Sequence, residues 1–340
     1  MEAIKSPDWN IVGILGAARG ARADAGGAMG TEHLLAAITT SKGPAREVLA
    51  AEGATRTTLL AVLRDRTDKD GAWSADDEAE HSVVSQDVLG EDGDRRTSFT
   101  GAAARALSAA MEHARQEDAG KFGATHLLRG LLAEDNRAAE LLEACGISPR
   151  AVLDRLDGGS GGNQDGLDPL LRATRDVLLG RSHYRRMSWW MRWLTKLSGV
   201  NWAASPAGWV GLETYEQARR LGDRAVGTEH ILLAVLATHE VALSHPHLVG
   251  ERGTGQDDRY AGGEQLARLG VDYVSVHRVL TAGDCIALTA DVRPAEEYLH
   301  EATGQNLMSA ASTGPLVETL LREQTRARQL IDTLTGRPVG

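Results

Sequence analysis

The sequence predicts an all-α protein on three observations: a helix-start hexapeptide that recurs, glycines at set distances after it, and negligible strand patterning. The hexapeptide is Gly30-Thr31-Glu32-His33-Leu34-Leu35, then Gly123-Ala124-Thr125-His126-Leu127-Leu128, then Gly227-Thr228-Glu229-His230-Ile231-Leu232. Gly53 follows Gly30 by 23 residues, Gly146 follows Gly123 by 23, and Gly270 follows Gly227 by 43. A worn fourth copy reads Ser312-Thr313-Gly314-Pro315-Leu316-Val317, with Gly336 placed 24 residues after Ser312.

Each repeat reads as four helices. An amphipathic stretch comes first, clearest at 99–117 and 205–221. The hexapeptide starts the second: glycine ends the loop, Thr31 or Thr228 is expected as the N-cap, and Glu32 or Glu229 sits in the first turn, where the helix dipole favours negative charge. Leu127, Leu128, Leu131 and Leu132 match Ile231, Leu232, Val235 and Leu236, and then Leu316, Val317, Leu320 and Leu321, a stripe expected to face a core. Gly53, Gly146 and Gly270 are expected to cap the third helix, and 57–63, 149–156 and 273–280 to close each repeat. The extra residues of the third repeat are placed in a polar loop over 244–263, on the strength of His245-Pro246, Gly250, Gly253, Gly255 and Gly262-Gly263.

At 340 residues the chain is long enough for about two domains. The first is expected over 1–156, with repeats 9–63 and 99–156 joined by the acidic stretch 65–96, read as a solvated connector. Residues 157–167 form a glycine-rich linker, 168–202 a basic Trp-rich helical insertion, and 203–340 the second domain, with one repeat at 203–280 and a degenerate one at 291–336.

Composition excludes several function classes. A formal charge of −10 disfavours a nucleic-acid partner. Cys145 and Cys285 form no CxxC and have no histidine at ligand spacing, so neither a disulfide framework nor a zinc site is implied, and a reducing cytoplasm fits. No signal-peptide core and no run of about 18 apolar residues is found. Five lysines against 32 arginines is the bias of a high-GC, bacterial genome. His300-Glu301 lacks the second histidine of a zinc peptidase, and neither Gly-x-Ser-x-Gly nor Gly-x-x-x-x-Gly-Lys-[Ser/Thr] occurs, so no enzyme, catalytic residue, cofactor or metal is expected. His33, His126 and His230 stand at equivalent, separated places, which fits buried hydrogen bonding near each helix start.

One stretch breaks the acidic pattern. Residues 177–212 contain no Asp or Glu, and Met187, Trp190, Leu194 and Leu197 fall on one helical stripe. Trp189, Trp190, Trp193, Arg192 and Lys196 would then pack on their own domain, grip a partner, or lie on an anionic membrane surface, the last disfavoured because Asn201, Ser205 and Pro206 interrupt the segment.

The repeated helix start, the Ala/Leu-rich helix ending in glycine and the Phe99-Thr100 opening of repeat two resemble the Clp N-terminal domain, the double (Clp) repeat at the front of ClpC- and ClpA-type Hsp100 unfoldases. The resemblance spans 9–156 and 203–280 and fades over 291–336. It implies two tandem pseudo-twofold domains, each of two four-helix repeats, without the family's AAA+ ATPase modules. It further implies a non-catalytic protein that binds peptides, adaptors or degrons and modulates a ClpC-type protease system, as decoy or adaptor or by sequestering cyclic-peptide antibiotics. Partners would be unfoldase components, adaptors or phosphoarginine-marked substrates. Glu32 and Glu229 stand where the family holds the arginyl end of phosphoarginine, whereas Thr125 and Gly314 stand there in repeats two and four. Phe99 stands where the family lines a cyclic-peptide groove. Each also has a plain reading, the glutamates as first-turn stabilisers and Phe99 as a core staple. The alternative function is a membrane-surface or partner-binding scaffold acting through the Trp-rich basic helix. Limited proteolysis should cut first around 158–166 and release two folded helical fragments, and cleavage confined elsewhere would contradict this division.

Overall fold

The structure, a computed structural model, describes residues 6–21, 27–68, 73–78, 81–159, 166–187, 199–223, 225–250, 258–282, 288–304 and 311–336. Contacts divide the chain into two units, 1–163 and 164–340. Both are all-α among the described residues, apart from one short two-stranded ladder in the first.

In the first unit, repeat one runs α1 (Trp9–Ala21), α2 (Thr31–Ile38), α3 (Pro44–Glu52) and α4 (Arg56–Asp68). A connecting piece follows, with β1 (Val83–Val84), α5 (Ser85–Leu89) and β2 (Ser98–Phe99). Repeat two runs α6 (Gly101–Gln116), α7 (Ala124–Leu131), α8 (Arg137–Ala144) and α9 (Pro149–Leu156). The repeats interlock through their backbones. Asp8 N–H, ahead of α1, donates to the Phe122 carbonyl ahead of α7 at 3.0 Å, and Met29 N–H, ahead of α2, donates to Ser98, ahead of α6, at 2.8 Å. Each second helix therefore starts from the other repeat's first, with pseudo-twofold symmetry. The apolar core runs through both repeats, from Ile11 and Leu34 to Phe99, Leu107 and Leu128.

The second unit begins with α10 (Arg172–Leu178) and continues with α11 (Pro206–Leu221), α12 (Thr228–Leu243), α13 (Pro246–Val249), α14 (Ala261–Arg268) and α15 (Tyr273–Thr281). α16 (Ala295–Thr303), α17 (Gly314–Arg322) and α18 (Arg326–Thr335) complete it. Its core holds a polar network around Glu213 on α11. That carboxylate accepts from Thr174 Oγ1 at 2.8 Å, Gln217 Nε2 at 2.8 Å and Arg220 at 2.9 Å, and from the Tyr184 hydroxyl. Tyr184 in turn accepts from Trp209 Nε1 at 2.7 Å. A buried charge so fully bonded is structural.

Three expectations are corrected. The second helix of each unit's leading repeat is buried almost all round rather than along one stripe: in α12 every residue but Glu240, Leu243 and none other lies inside, because neighbours pack on several of its sides. The loop expected over 244–263 contains α13 and gives way at 258 to a short turn of helix and α14. Gly262 and Gly263 lie inside α14, where a Cβ would fall 2.5 Å from the Thr313 carbonyl and 2.3 Å from the His239 ring. The acidic stretch 65–96 is not a plain solvated connector, since it builds β1, α5 and a buried anion, Asp77. The expected Trp-rich helix, with Trp189, Trp190, Arg192, Trp193 and Lys196, lies outside the described residues, as does 160–165 of the linker. Trp202 and Trp209, nearby in sequence, are buried.

Asp77 accepts the backbone N–H of Thr31 at 3.0 Å and of Arg137 at 2.9 Å, the first residues of α2 and α8. Hydrogen bonds to a buried charge are each worth about 1.5–3 kcal/mol. Asp77→Ala should therefore cost the first unit about 3 kcal/mol or more, a fall of roughly 10 °C in its calorimetric midpoint. A loss under about 1 kcal/mol would mean that this carboxylate does not tie the repeats together.

Candidate functional site

The helix-start signature builds the same polar knot once in each unit. Gly30 and Gly227, not the threonines, are the N-caps, and Thr31 and Thr228 are the first helical residues. This corrects the expected cap, and the reason is that both threonine side chains are engaged outward. Thr31 Oγ1 donates to Asp77 at 2.7 Å and accepts from Ala138 N–H, at the start of α8, at 2.9 Å. Thr228 Oγ1 donates to Asp291 at 2.6 Å and accepts from Ala327 N–H, at the start of α18, at 3.0 Å. Asp291 also takes the N–H of Thr228 and of Arg326, at 2.9 and 2.8 Å. In both units one carboxylate thus sits where two helix N-termini converge, each presenting N–H groups and the positive end of its dipole.

The histidines complete the cap. Nδ1 of His33, His126 and His230 accepts the backbone N–H of Gly30, Gly123 and Gly227, at 3.3, 2.9 and 3.0 Å. This is the role a glutamate plays at the third position of a capping box. For His126 and His230 the other nitrogen, Nε2, meets the carboxylates of Glu117 at 3.0 Å and Asp223 at 2.8 Å, an arrangement that suits a proton on Nε2. Among the described residues no group of three or more His, Cys, Asp and Glu is placed to hold a metal ion. Burial pushes the Cys145 thiol up to about 12, which leaves it unreactive.

Glu32 and Glu229 turn their carboxylates inward and back over their N-cap glycines. They are 3% and 5% exposed, and each leaves Oε2 without a hydrogen-bond partner. A Cβ on Gly30 or Gly227 would stand 2.2 Å from that oxygen, so only glycine leaves room for the carboxylate. Each glutamate faces an arginine from the other repeat. Arg326 donates to Glu229 Oε1 at 2.8 Å, a bond that holds the Arg326 guanidinium above its ordinary pKa. Arg137 comes no nearer to Glu32 Oε1 than 3.8 Å. These arginines and the two aspartates were missed in the sequence. A signal existed in the matching starts Asn136-Arg137-Ala138 and Thr325-Arg326-Ala327, an N-cap followed by Arg-Ala.

Phe99 is placed in the core, 1% exposed, with its backbone in the ladder to β1. The face of α6 that follows it borders an open groove of about 700 Å³, walled by Val83 and Val88 on one side and Ala104, Arg105, Met111 and Glu134 on the other, and Phe99 is not among its walls. Among the described residues no helix is long and apolar enough to cross a membrane.

Because Gly30 has φ −85°, alanine fits its backbone and only the carboxylate is displaced. Gly30→Ala should destabilise the first unit by about 1–2 kcal/mol, the loss vanishing against a Glu32→Ala background in a double-mutant cycle. Equal losses in both backgrounds would show that the carboxylate is not what excludes the methyl group.

The family model of the Clp repeat (R) N-terminal domain matches residues 98–166, from β2 through repeat two into the linker. No curated protein and no solved structure matches the chain.

Proposed function

We propose, on the premise that residues 98–166 are similar to a Clp repeat N-terminal domain, that the chain is a non-catalytic recognition protein of a bacterial, cytoplasmic ClpC-type protease system. Clp N-terminal domains serve interactions with Clp-system components or substrates, and the finer reading is that the first unit binds marked peptides or adaptors through Glu32. One observation carries it. Glu32 is a buried carboxylate with an unpartnered oxygen, and its nearest guanidinium stands 3.8 Å away, too far to hydrogen-bond. A ligand guanidinium, as in a phosphoarginine-marked chain, would form the charge-assisted bond that Arg137 does not. Withholding such chains from the protease makes the protein a decoy, presenting them an adaptor. The groove beside α6 offers a surface of the size a cyclic-peptide antibiotic needs, and sequestration of such peptides belongs to the same reading.

Calorimetric titration of the full chain with a phosphoarginine peptide tests it. Glu32→Gln should weaken binding roughly tenfold or more, since one charge-assisted bond is worth about 1.5–3 kcal/mol, while Glu229→Gln should change little. Binding unaffected by Glu32→Gln sinks the assignment.

A further inference from the structure

The two knots share the aspartate bonds, the threonine relay and the histidine cap on the glycine N–H, but differ in the residue after the shared aspartate. In the first unit that residue is Glu78, and its Oε1 accepts from Arg137 at 3.2 Å. The Arg137 guanidinium also lies 5.9 Å from the Trp73 ring, on the same connecting piece. Two attractions therefore act on Arg137 besides Glu32, and of the two carboxylates it is Glu78 that it bonds, while Glu32 stands 3.8 Å away. In the second unit the equivalent residue is Val292, 66% exposed, whose aliphatic side chain offers no acceptor for a hydrogen bond. Arg326 accordingly bonds straight to Glu229 at 2.8 Å.

A guanidinium is the natural partner of a recessed carboxylate, because its fork of N–H donors stays charged at any physiological pH. Whether such a carboxylate is open to a guanidinium from outside depends on whether one from the same chain already fills it. An intrachain competitor acts at high effective concentration, so a ligand must displace it and loses apparent affinity by the fraction of time the site is filled.

We propose that Arg326 is a built-in occupant that closes the Glu229 site, and that Glu78 keeps Glu32 open by holding the equivalent Arg137 away from it. The inference rests on the reading of these carboxylates as guanidinium acceptors. It adds what decides their availability: one exposed residue beside each knot, acidic in the first unit and apolar in the second. The two glutamates are alike in being buried, in facing an N-cap glycine and in leaving Oε2 unpartnered, and the adjacent histidine Nδ1 stands 3.1 Å from Glu32 Oε1 and 3.5 Å from Glu229 Oε1.

The test uses the full chain and titration with a phosphoarginine peptide, with folding checked by circular dichroism. The wild type should bind one equivalent. Arg326→Ala should bind two, the second abolished by adding Glu229→Gln. Because a buried carboxylate left without its arginine strains the fold, Val292→Glu provides a second route: it leaves Arg326 in place, sits at an exposed position and should also bring the stoichiometry to two. Glu78→Val should do the reverse in the first unit, releasing Arg137 onto Glu32 and weakening the wild-type site about tenfold. One equivalent in wild type, Arg326→Ala and Val292→Glu alike overturns the plug and leaves the Glu32 reading standing. No binding in wild type, with one Glu229-dependent equivalent in Arg326→Ala, overturns the Glu32 reading and supports the plug. No binding in any variant overturns both.

Discussion

The fold turns on a carboxylate held between two helix N-termini. Asp77 takes the first N–H of α2 and the first N–H of α8, one from each repeat, and Asp291 does the same for α12 and α18. Helix starts repel each other electrostatically and leave orphan amides, so two of them meet in a core only around an anion or acceptor. That requirement explains why an acidic connector has to fold back into the unit, and why Asp77 takes the backbone N–H of the residue that begins the helix facing α2. It also explains the threonine, which passes a hydrogen bond from one helix to the aspartate below the other.

The letters of the helix-start signature separate by task. Glycine leaves space beneath the carboxylate, threonine relays between helices, glutamate faces an arginine, and histidine returns to cap the glycine N–H. Repeat two, which reads Gly123-Ala124-Thr125-His126, keeps the glycine and the histidine cap. Repeat four keeps only the relay: Thr313 Oγ1 accepts the Gly262 N–H of α14 at 3.1 Å, as Thr31 does from Ala138. Capping and relay are therefore matters of construction. Glutamate with its arginine is a separable addition.

Most of the helical frame was legible in the sequence because its signals are local. Periodicity, proline at first positions and glycine after last ones placed α9 and α11 to within a residue of their ends. What stayed hidden is non-local. Asp77 lies in a run of acidic residues, where nothing near it distinguishes a buried anion from its solvated neighbours. Arg137 and Arg326 become site residues only when α8 crosses α2 and α18 crosses α12, about 100 positions from the glutamates they meet. Likewise the glycines of α14 read as a loop because the atoms that require them, on Thr313 and His239, belong to other helices.

Within the chain, glutamate and arginine occur together or not at all. Where a repeat presents Glu32 or Glu229, the helix packed against it begins with Arg137 or Arg326. Where it presents Thr125 or Gly314, the facing helix begins with Pro44 or Ala261. A buried carboxylate without a partner costs several kcal/mol, so loss of either member drives loss of the other. Yet a buried pair in place gives little net stability over apolar residues of the same size. Two of the four repeats make the same helix pairing without it, so the fold does not need it.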